Sequence, residues 1–424
     1  MDIVYYIWLS LRCGAGSESG SLLLDEYGSP RAVYELSCDE LLSIEYIPVE
    51  TREALCDKDL DYPQRIYEYC KRNNVGILTL DDDIYPERLR RIYAKPILLY
   101  YRGRIIDIDD NVMIACVGTR RCSEHGFRAA YKLGAELCEA GACVVSGMAA
   151  GIDSSCARGA LSVRGYTIAV LGCGIDIVYP PQNKELYAQI ARHGAIITEY
   201  APGSAPEGSY FPIRNRIISG LCQGTCVVEA DSHSGALITA RLAEKQGRDV
   251  FAFPGRVDED KSRGTNTLIY SGARLVRGAY DIISEYELLY PHKIFSERIN
   301  SRKFYDRSEI HRDAAYAAPT SPKKQSAKKP CSQSTNGNAS LAEPTKASAD
   351  EKKARISAVL EHLSETARAA AAAMEHCNSL DDIKADVEKA LSCKIDTGEL
   401  LSALTELEIC GVCRAIPGGG YALT

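Results

Sequence analysis

The 424-residue sequence has no excess of positive charge: 50 Lys and Arg stand against 57 Asp and Glu, a net of −7. That balance excludes a broadly cationic, histone-like coat for nucleic acid, but not a local basic patch. Nor is there an apolar run approaching the roughly 18 residues of a membrane-spanning helix, so none is expected. The chain opens Met1-Asp2 with no basic stretch ahead of an apolar one, and so does not read as carrying an export signal. The hydrolase spacings GxSxG and HExxH are missing, as are a Walker A loop and the GxGxxG of dinucleotide sites. Cysteine, by contrast, is plentiful. The 17 thiols are scattered through helix-like and strand-like stretches, and without an export signal they read as reduced cytosolic cysteines, mostly buried as small apolar residues. The one CxxC, Cys410 to Cys413, has no second CxxC or HxxxH to complete four zinc ligands, so no metal is expected.

The charge is unevenly placed. Residues 1–110 carry 13 basic and 21 acidic groups, 111–290 carry 18 of each, 291–350 carry 11 against 6, and 351–424 carry 8 against 12. The first 75 residues show helical spacings (Tyr5, Ile7, Trp8, Leu9; Leu22 to Leu24; Val33, Tyr34, Leu36, Leu41, Leu42), with Gly14-Ala15-Gly16 marking a turn between two helices. This is a small helical domain, read either as a helix-hairpin-helix that grips phosphates or as a packed cap with an acidic surface. Residues 77–103 shift to β-like runs broken at Tyr85-Pro86 and Lys95-Pro96.

Residues 111–290 alternate short apolar runs (112–117, 142–145, 167–171, 195–198, 225–228 and 249–252) with helix-length amphipathic stretches such as 126–140 and 237–246. Nearly continuous apolar strands separated by helices predict an α/β fold, a doubly wound, Rossmann-like parallel sheet covered on both faces. From 291 to 350 the chain turns polar and rich in Ser, Lys, Pro and Ala. It reads as a disordered basic linker, with Lys323, Lys324, Lys328 and Lys329 either a solvated tether or a DNA-touching arm. Residues 351–424 regain order as three helices (352–374, 383–391, 397–409) and a hairpin over 410–423, a winged-helix pattern.

Ligands of open parallel sheets lie at the carboxyl ends of the strands, and here the segments leaving each strand are rich in Gly, Ser, Arg and Asn. VGTRRCSEHG (117–126) offers Gly118 for a tight turn, Arg120 as a charged fork, and a helix start near Ser123 whose free amides favour a phosphate. SGMAAGID (146–153) supplies Ser146, Gly147 and Gly151, with Asp153 as a cap or a member of a polar network. LGCGIDIVYP (171–180) is followed by Lys184, a candidate phosphate contact or a solvated lysine. FPIRNRIISGL (211–221) is the densest signal: Phe211 suits base stacking, and Arg214, Asn215 and Arg216 suit a strand's phosphates. A buried arginine paired with Glu199 or Glu229 is the structural reading of one of the two. VVEADSHSGALITA (227–240) places Ser234 and Gly235 at a strand-to-helix turn, and FPGRVDEDKSRGTNTLIYSGA (253–273) places Ser262, Gly264 and Asn266 in another Gly-rich bend. Glu199, Glu229, Asp153, Asp176, Asp231 and His233 are candidate acids and bases, but none has a known catalytic spacing. The loops therefore suit a binder better than a catalyst.

In this order and spacing, the six motifs resemble the DNA-processing protein A family (DprA, also called Smf). YPERLRRIYAKPILLYYRG (85–103) is similar to that family's lead-in. The resemblance covers about residues 77–290 and extends weakly to both flanks. It implies an extended Rossmann domain, commonly dimeric, in a cytoplasmic bacterial protein. It further implies binding of single-stranded DNA, protection of incoming strands in natural transformation, and loading of the RecA recombinase, without catalysis and without a cofactor. Carried over by motif, the strand pocket includes Arg120, Lys184, Phe211, Arg214, Asn215 and Arg216, with backbone donors at 146–151 and 262–266. The acids Asp396, Glu399, Glu406 and Glu408 on the third helix of the expected winged helix would repel a duplex, so that module is expected to contact protein. The alternative is a Rossmann enzyme of the lysine-decarboxylase-like type that hydrolyses nucleoside monophosphates. Its PGGxGTxxE is absent: the chain has SHSGALITA at the comparable turn and only PGR at 254–256.

Overall fold

The computed structural model describes residues 3–301 and, nearer the C-terminus, 365–374, 376, 380–391, 400, 403–404, 407, 413–416 and 420–423. The chain divides into two compact units, Met1–Lys324 and Gln325–Thr424.

The first unit begins with six helices: α1 (Ile3–Cys13), α2 (Ser19–Tyr27), α3 (Pro30–Glu35), α4 (Cys38–Leu42), α5 (Val49–Cys56) and α6 (Asp61–Arg72). Then come β1 (Gly76–Thr79), α7 (Glu87–Arg90), β2 (Leu98–Gly103), β3 (Met113–Val117), α8 (Glu124–Glu139), β4 (Cys143–Ser146), α9 (Ile152–Ser162) and β5 (Thr167–Val170). The remainder is α10 (Lys184–His193), β6 (Ala195–Thr198), α11 (Tyr210–Gly220), β7 (Gly224–Val227), α12 (Ala236–Lys245), β8 (Asp249–Ala252), α13 (Asp260–Tyr270), β9 (Arg274–Leu275) and α14 (Ala279–Tyr286).

The nine strands form one sheet in the order β1-β2-β6-β5-β4-β3-β7-β8-β9. All neighbours from β6 to β9 pair in parallel, whereas β2 pairs antiparallel with both β1 and β6. The six expected strands are all present. What periodicity did not give is that the 77–103 region adds its two strands to the same sheet, extending it antiparallel on one edge. Burial explains the composition of the strands. Ile114, Cys116 and Phe251 face a core shared with α8, α9 and α14. Met113, Ala115, Val117 and Ala252 face one shared with α7, α11, α12 and α13. With both faces covered there is no polar position to alternate with.

The N-terminal helices share a core with the sheet. Trp8, Leu23 and Leu55 are buried in one cluster with Tyr100, Ala169, Leu171 and Ile196. Trp8 gives its indole N–H to the carbonyl of Asp57 at 2.9 Å. The Gly14–Gly16 turn sits between α1 and α2 as expected, with φ of 76° at Gly14 and 80° at Gly16. Gly16 lies against α11: a Cβ there would stand 2.5 Å from Ile213. Residues 291–301, polar by composition, are folded at least in part, since Ile294 and Ile299 are buried among the α8 and α14 side chains. The rest of the expected linker lies outside the described residues.

One expectation about cysteine is corrected. Cys38 and Cys56 are not reduced thiols but form a disulfide with Cα atoms 5.1 Å apart, inside the range a bridge requires. α4 begins on Cys38 and α5 ends on Cys56, so packing these two short helices brings the sulfurs together. Alkylating the unfolded protein without reductant should leave the Cys38 and Cys56 peptides joined and unlabelled in a mass map. Labelling of both before reduction would show that the bridge does not form.

The second unit has its own core. α15 (Glu365–Ala373), α16 (Leu380–Leu391) and an antiparallel pair, β10 (Cys413–Ile416) with β11 (Gly420–Leu423), are described. Ala367, Ala370, Ile383, Val387, Leu404 and Leu407 are buried together. Asp396, Glu399, Glu406, Glu408 and Cys410 lie outside the described residues.

Candidate nucleic-acid interface

The loops that leave β3, β4, β5, β6 and β7 converge on one edge of the sheet. The strand order reverses between β3 and β7, the position where doubly wound sheets open a crevice. A groove of about 730 Å³ lies there, lined among others by Gly118, Arg120, Phe211, Arg214, Asn215 and Ser234. At its β4–β5 end it adjoins a smaller pocket of about 150 Å³ between Arg120, Gly147, Gly172, Tyr179, Phe211 and Arg214.

Phe211 is the centre of this pocket. α11 begins at Tyr210, whose ring stacks on Tyr200 at 4.2 Å, and the Tyr200 hydroxyl donates to the Tyr210 carbonyl at 3.2 Å. That anchor sets the next residue, Phe211, against Tyr179 with ring centroids 5.5 Å apart and planes 30° apart. The Arg120 guanidinium lies 4.9 Å from the Phe211 ring centre and that of Arg214 lies 5.9 Å from it. Gly172 makes room: a Cβ there would stand 2.9 Å from the Phe211 ring. An aromatic pair edged by guanidiniums accepts a flat base and a phosphate together.

Arg214 forms the floor. It is 4% exposed and donates through Nη1 to the carbonyl of Gly147 at 2.9 Å and to that of Val170. Its Nε is buried without a partner. Burial pulls its pKa down to about 10, and Arg120 adds to the lowering while Asp153 opposes it. Gly147 leaves room for this guanidinium: a Cβ would stand 2.4 Å from Arg214 Nη1. The loop after β4 is pinned on each side. Asp153 accepts from the Gly147 N–H at 2.9 Å, and Asn183 donates to the Met148 carbonyl at 2.8 Å. Ser146, fully buried, accepts from the Met148 N–H at 3.3 Å. Gly151 has φ of 80°, and a Cβ there would stand 2.4 Å from the Thr119 carbonyl.

Arg216 sits elsewhere. Its side chain is 7% exposed and donates to Glu199, equally buried, at 2.7 Å. It does not line the groove. Ser123 caps α8, accepting from the Gly126 N–H at 2.9 Å, and its own N–H and hydroxyl both donate to Glu229. Asp176 accepts from the Gly203 N–H at 2.9 Å and Asp231 from the His233 N–H at 2.8 Å. These carboxylates hold loops in place. Lys184, exposed at the start of α10, lines neither pocket nor groove.

Ser262, Gly264 and Asn266 are not in a bend but inside α13. Gly264 lets that helix press on the chain leaving β7: its N–H donates to the Ala230 carbonyl at 2.9 Å, and a Cβ would stand 2.5 Å from the Asp231 carbonyl. Asn266 clamps Gly255 through two bonds of 3.1 Å. Ser262 faces a separate cavity of about 770 Å³ beside Ser123, Phe253 and Arg256.

Gly235 does line the main groove, as do three residues not singled out from the sequence: Arg121, Tyr179 and Lys261. Arg121 and Lys261 are exposed cations. The second arginine of the TRR motif was an available signal for Arg121. Nothing local marks Lys261, which reaches the groove from a helix far along the chain.

Comparison with known proteins assigns a family. The model of the family "DNA recombination-mediator protein A" matches residues 76–287. Protein Smf of Synechocystis sp. is 44% identical over 230 residues, 54% of this chain and 56% of that protein. DNA processing protein DprA of Streptococcus pneumoniae is 44% identical over 206 residues, 49% of this chain and 72% of that protein. The X-ray structure of the Streptococcus pneumoniae protein superposes with a TM-score of 0.59 at 36% identity, covering 67% of this chain and 99% of that one. The aligned stretch thus spans little more than half of the Synechocystis relative and nearly three quarters of the Streptococcus one. With half of its length matched by the family and this identity to the Streptococcus protein, the chain belongs to the DNA recombination-mediator protein A family.

Proposed function

We propose that the protein is a single-stranded DNA-binding recombination mediator, acting in the cytoplasm to protect incoming strands and pass them to a RecA-type recombinase. The observation that carries the reading is the pocket in which Phe211, stacked on Tyr179, lies within 6 Å of both Arg120 and Arg214. Four cations, Arg120, Arg121, Arg214 and Lys261, line the groove against two acids, Asp153 and Asp231. Aromatic platform and cationic groove together suit an unpaired strand, whose bases are free to stack. Family membership adds the recombination context. In this reading Gly118, Ser146, Gly147, Gly151, Ser234 and Gly235 shape the strand path, and Arg216 positions α11. Homodimerisation through the sheet-bearing domain and completion of a winged helix by the second unit, contacting protein, belong to the same reading.

Hydrolysis of nucleoside monophosphates is not favoured, because Glu229, Glu199, Asp176 and Asp231 are each engaged in holding the fold. The handover itself is tested by assembling a RecA filament on an oligonucleotide precoated with single-strand-binding protein. Adding the full chain should shorten the nucleation lag. An unchanged lag at concentrations that saturate the oligonucleotide would refute the mediator role while leaving strand binding intact.

A further inference from the structure

Asp153 is the carboxylate whose charge acts most directly on Arg214. It is 5% exposed, opens α9, and lines the groove. One residue, Gly147, joins the two groups. The Gly147 N–H donates to Asp153 Oδ2 at 2.9 Å, and the Gly147 carbonyl accepts from Arg214 Nη1 at 2.9 Å. The acid is thus hydrogen-bonded to the peptide before Gly147 and the guanidinium to the peptide after it, inside a site where water does little screening. Arg214 is not saturated by the fold, since its Nε has no partner.

We propose that Asp153 is a positioning residue that sets how strongly Arg214 attracts a strand's phosphate, and that taking up a proton on Asp153 strengthens strand binding. This rests on the single-strand reading of the pocket. While ionised, Asp153 cancels much of the Arg214 field. Once neutral, it leaves that charge to the phosphate.

The environment places the switch near neutrality. Burial pushes the Asp153 carboxyl up to about 6, against the pull of Arg214 and of the amides of Gly147, Ala149 and Gly118. The other charged or titratable groups around Arg214 are Arg120 from the β3–α8 loop, Cys173 from the segment after β5, and Tyr200 from the segment after β6, with Asp176 beside Cys173. Arg121, Asp231 and Lys261 line the groove beyond. The sign follows from linkage. A phosphate beside Arg214 disfavours the Asp153 anion, so the bound state holds more protons, and affinity rises as pH falls towards about 6 and levels off below it. A further rise of one to two pKa units on binding corresponds to about a tenfold gain between pH 7.5 and 5.5.

The test measures affinity of the full chain for a labelled oligo-dT at constant ionic strength across that pH range. It is done in a His233→Gln background, so that Asp153 is read without the exposed imidazole next to Ser234. The parent should gain about tenfold on acidification. Asp153→Asn, which keeps an oxygen for the Gly147 N–H, should bind more tightly than the parent at pH 7.5 and show a flat profile. An Asp153→Asn profile as steep as the parent's, or weaker binding at pH 7.5 with an unchanged melting temperature, overturns the proposal. A second measurement needs no change at Asp153: titration calorimetry at pH 6.5 in two buffers of different ionisation enthalpy should show net proton uptake on binding, and zero uptake overturns the proposal. Absence of oligonucleotide binding at every pH would instead refute the reading of the pocket, and this inference with it.

Discussion

Replacing Arg216 by Ala is expected to cost about 3–5 kcal/mol of folding stability, because it leaves a buried carboxylate without its counter-charge. Glu199 and Arg216 are both 7% exposed at the side chain and 2.7 Å apart. Arg216 holds Glu199 Oε1, and Oε2 has no partner among the described residues, so nothing remains to neutralise the acid once the guanidinium is gone. Removing both charges should be far milder, since a well-packed apolar pair in place of a buried ion pair is often neutral or stabilising. Arg216→Met combined with Glu199→Leu should therefore recover most of the loss in a urea melt. The folded single variant should still bind oligo-dT, because Arg216 does not line the groove. Unchanged stability together with lost binding would move Arg216 from the scaffold into the site.

Phe211→Ala is expected to weaken oligo-dT binding by about ten- to a hundredfold, the range that loss of one base–aromatic stack produces. Tyr179 and Arg120 both lie against this ring, so the substitution dismantles the platform as a unit. Arg120→Ala should act differently. Its side chain is exposed and makes no ion pair among the described residues, so stability should be nearly unchanged. Affinity should fall about tenfold, and the slope of log affinity against log salt should become shallower by about one. Isothermal binding curves at several salt concentrations separate the two effects. If both variants bind as tightly as the parent, the strand does not run through this pocket.

Much of this was legible before the structure. Six of the seven parallel strands declared themselves as short apolar runs, because strands buried on both faces cannot hide polar residues, whereas the two-residue, exposed β9 carried no such signal. The loops that carry Gly118, Arg120, Gly147, Phe211, Arg214 and Asn215 were visible for the opposite reason: glycine and arginine are unusual where a strand hands over to a helix. What was illegible depended on partners distant in sequence. Arg214 and Arg216 sit two residues apart on one helix, yet one faces the pocket floor and the other a buried glutamate. Only the placement of Gly147 and Glu199 decides which is which. Likewise Gly264 read as a bend but lies in a helix, its missing Cβ spent on contact with the Asp231 carbonyl rather than on a turn. Tyr179 and Lys261 reach the groove from separate elements, and the Cys38–Cys56 bridge needed the packing of α4 on α5.

The overall acidity also resolves into place. Residues 1–110 carry most of the excess, while 111–290 are balanced, with cations gathered at Arg120, Arg121, Arg214 and Lys261 along one groove. A net charge of −7 limits how widely the protein can coat a polyanion, but not how firmly a narrow groove holds one strand. The most direct measurement is the affinity of the full chain for a single-stranded oligonucleotide and for its duplex, each at two salt concentrations. The account predicts tight, sequence-tolerant binding of the single strand that weakens steeply with salt, and much weaker binding of the duplex. Equal affinity for both forms, or single-strand affinity indifferent to salt, would contradict it.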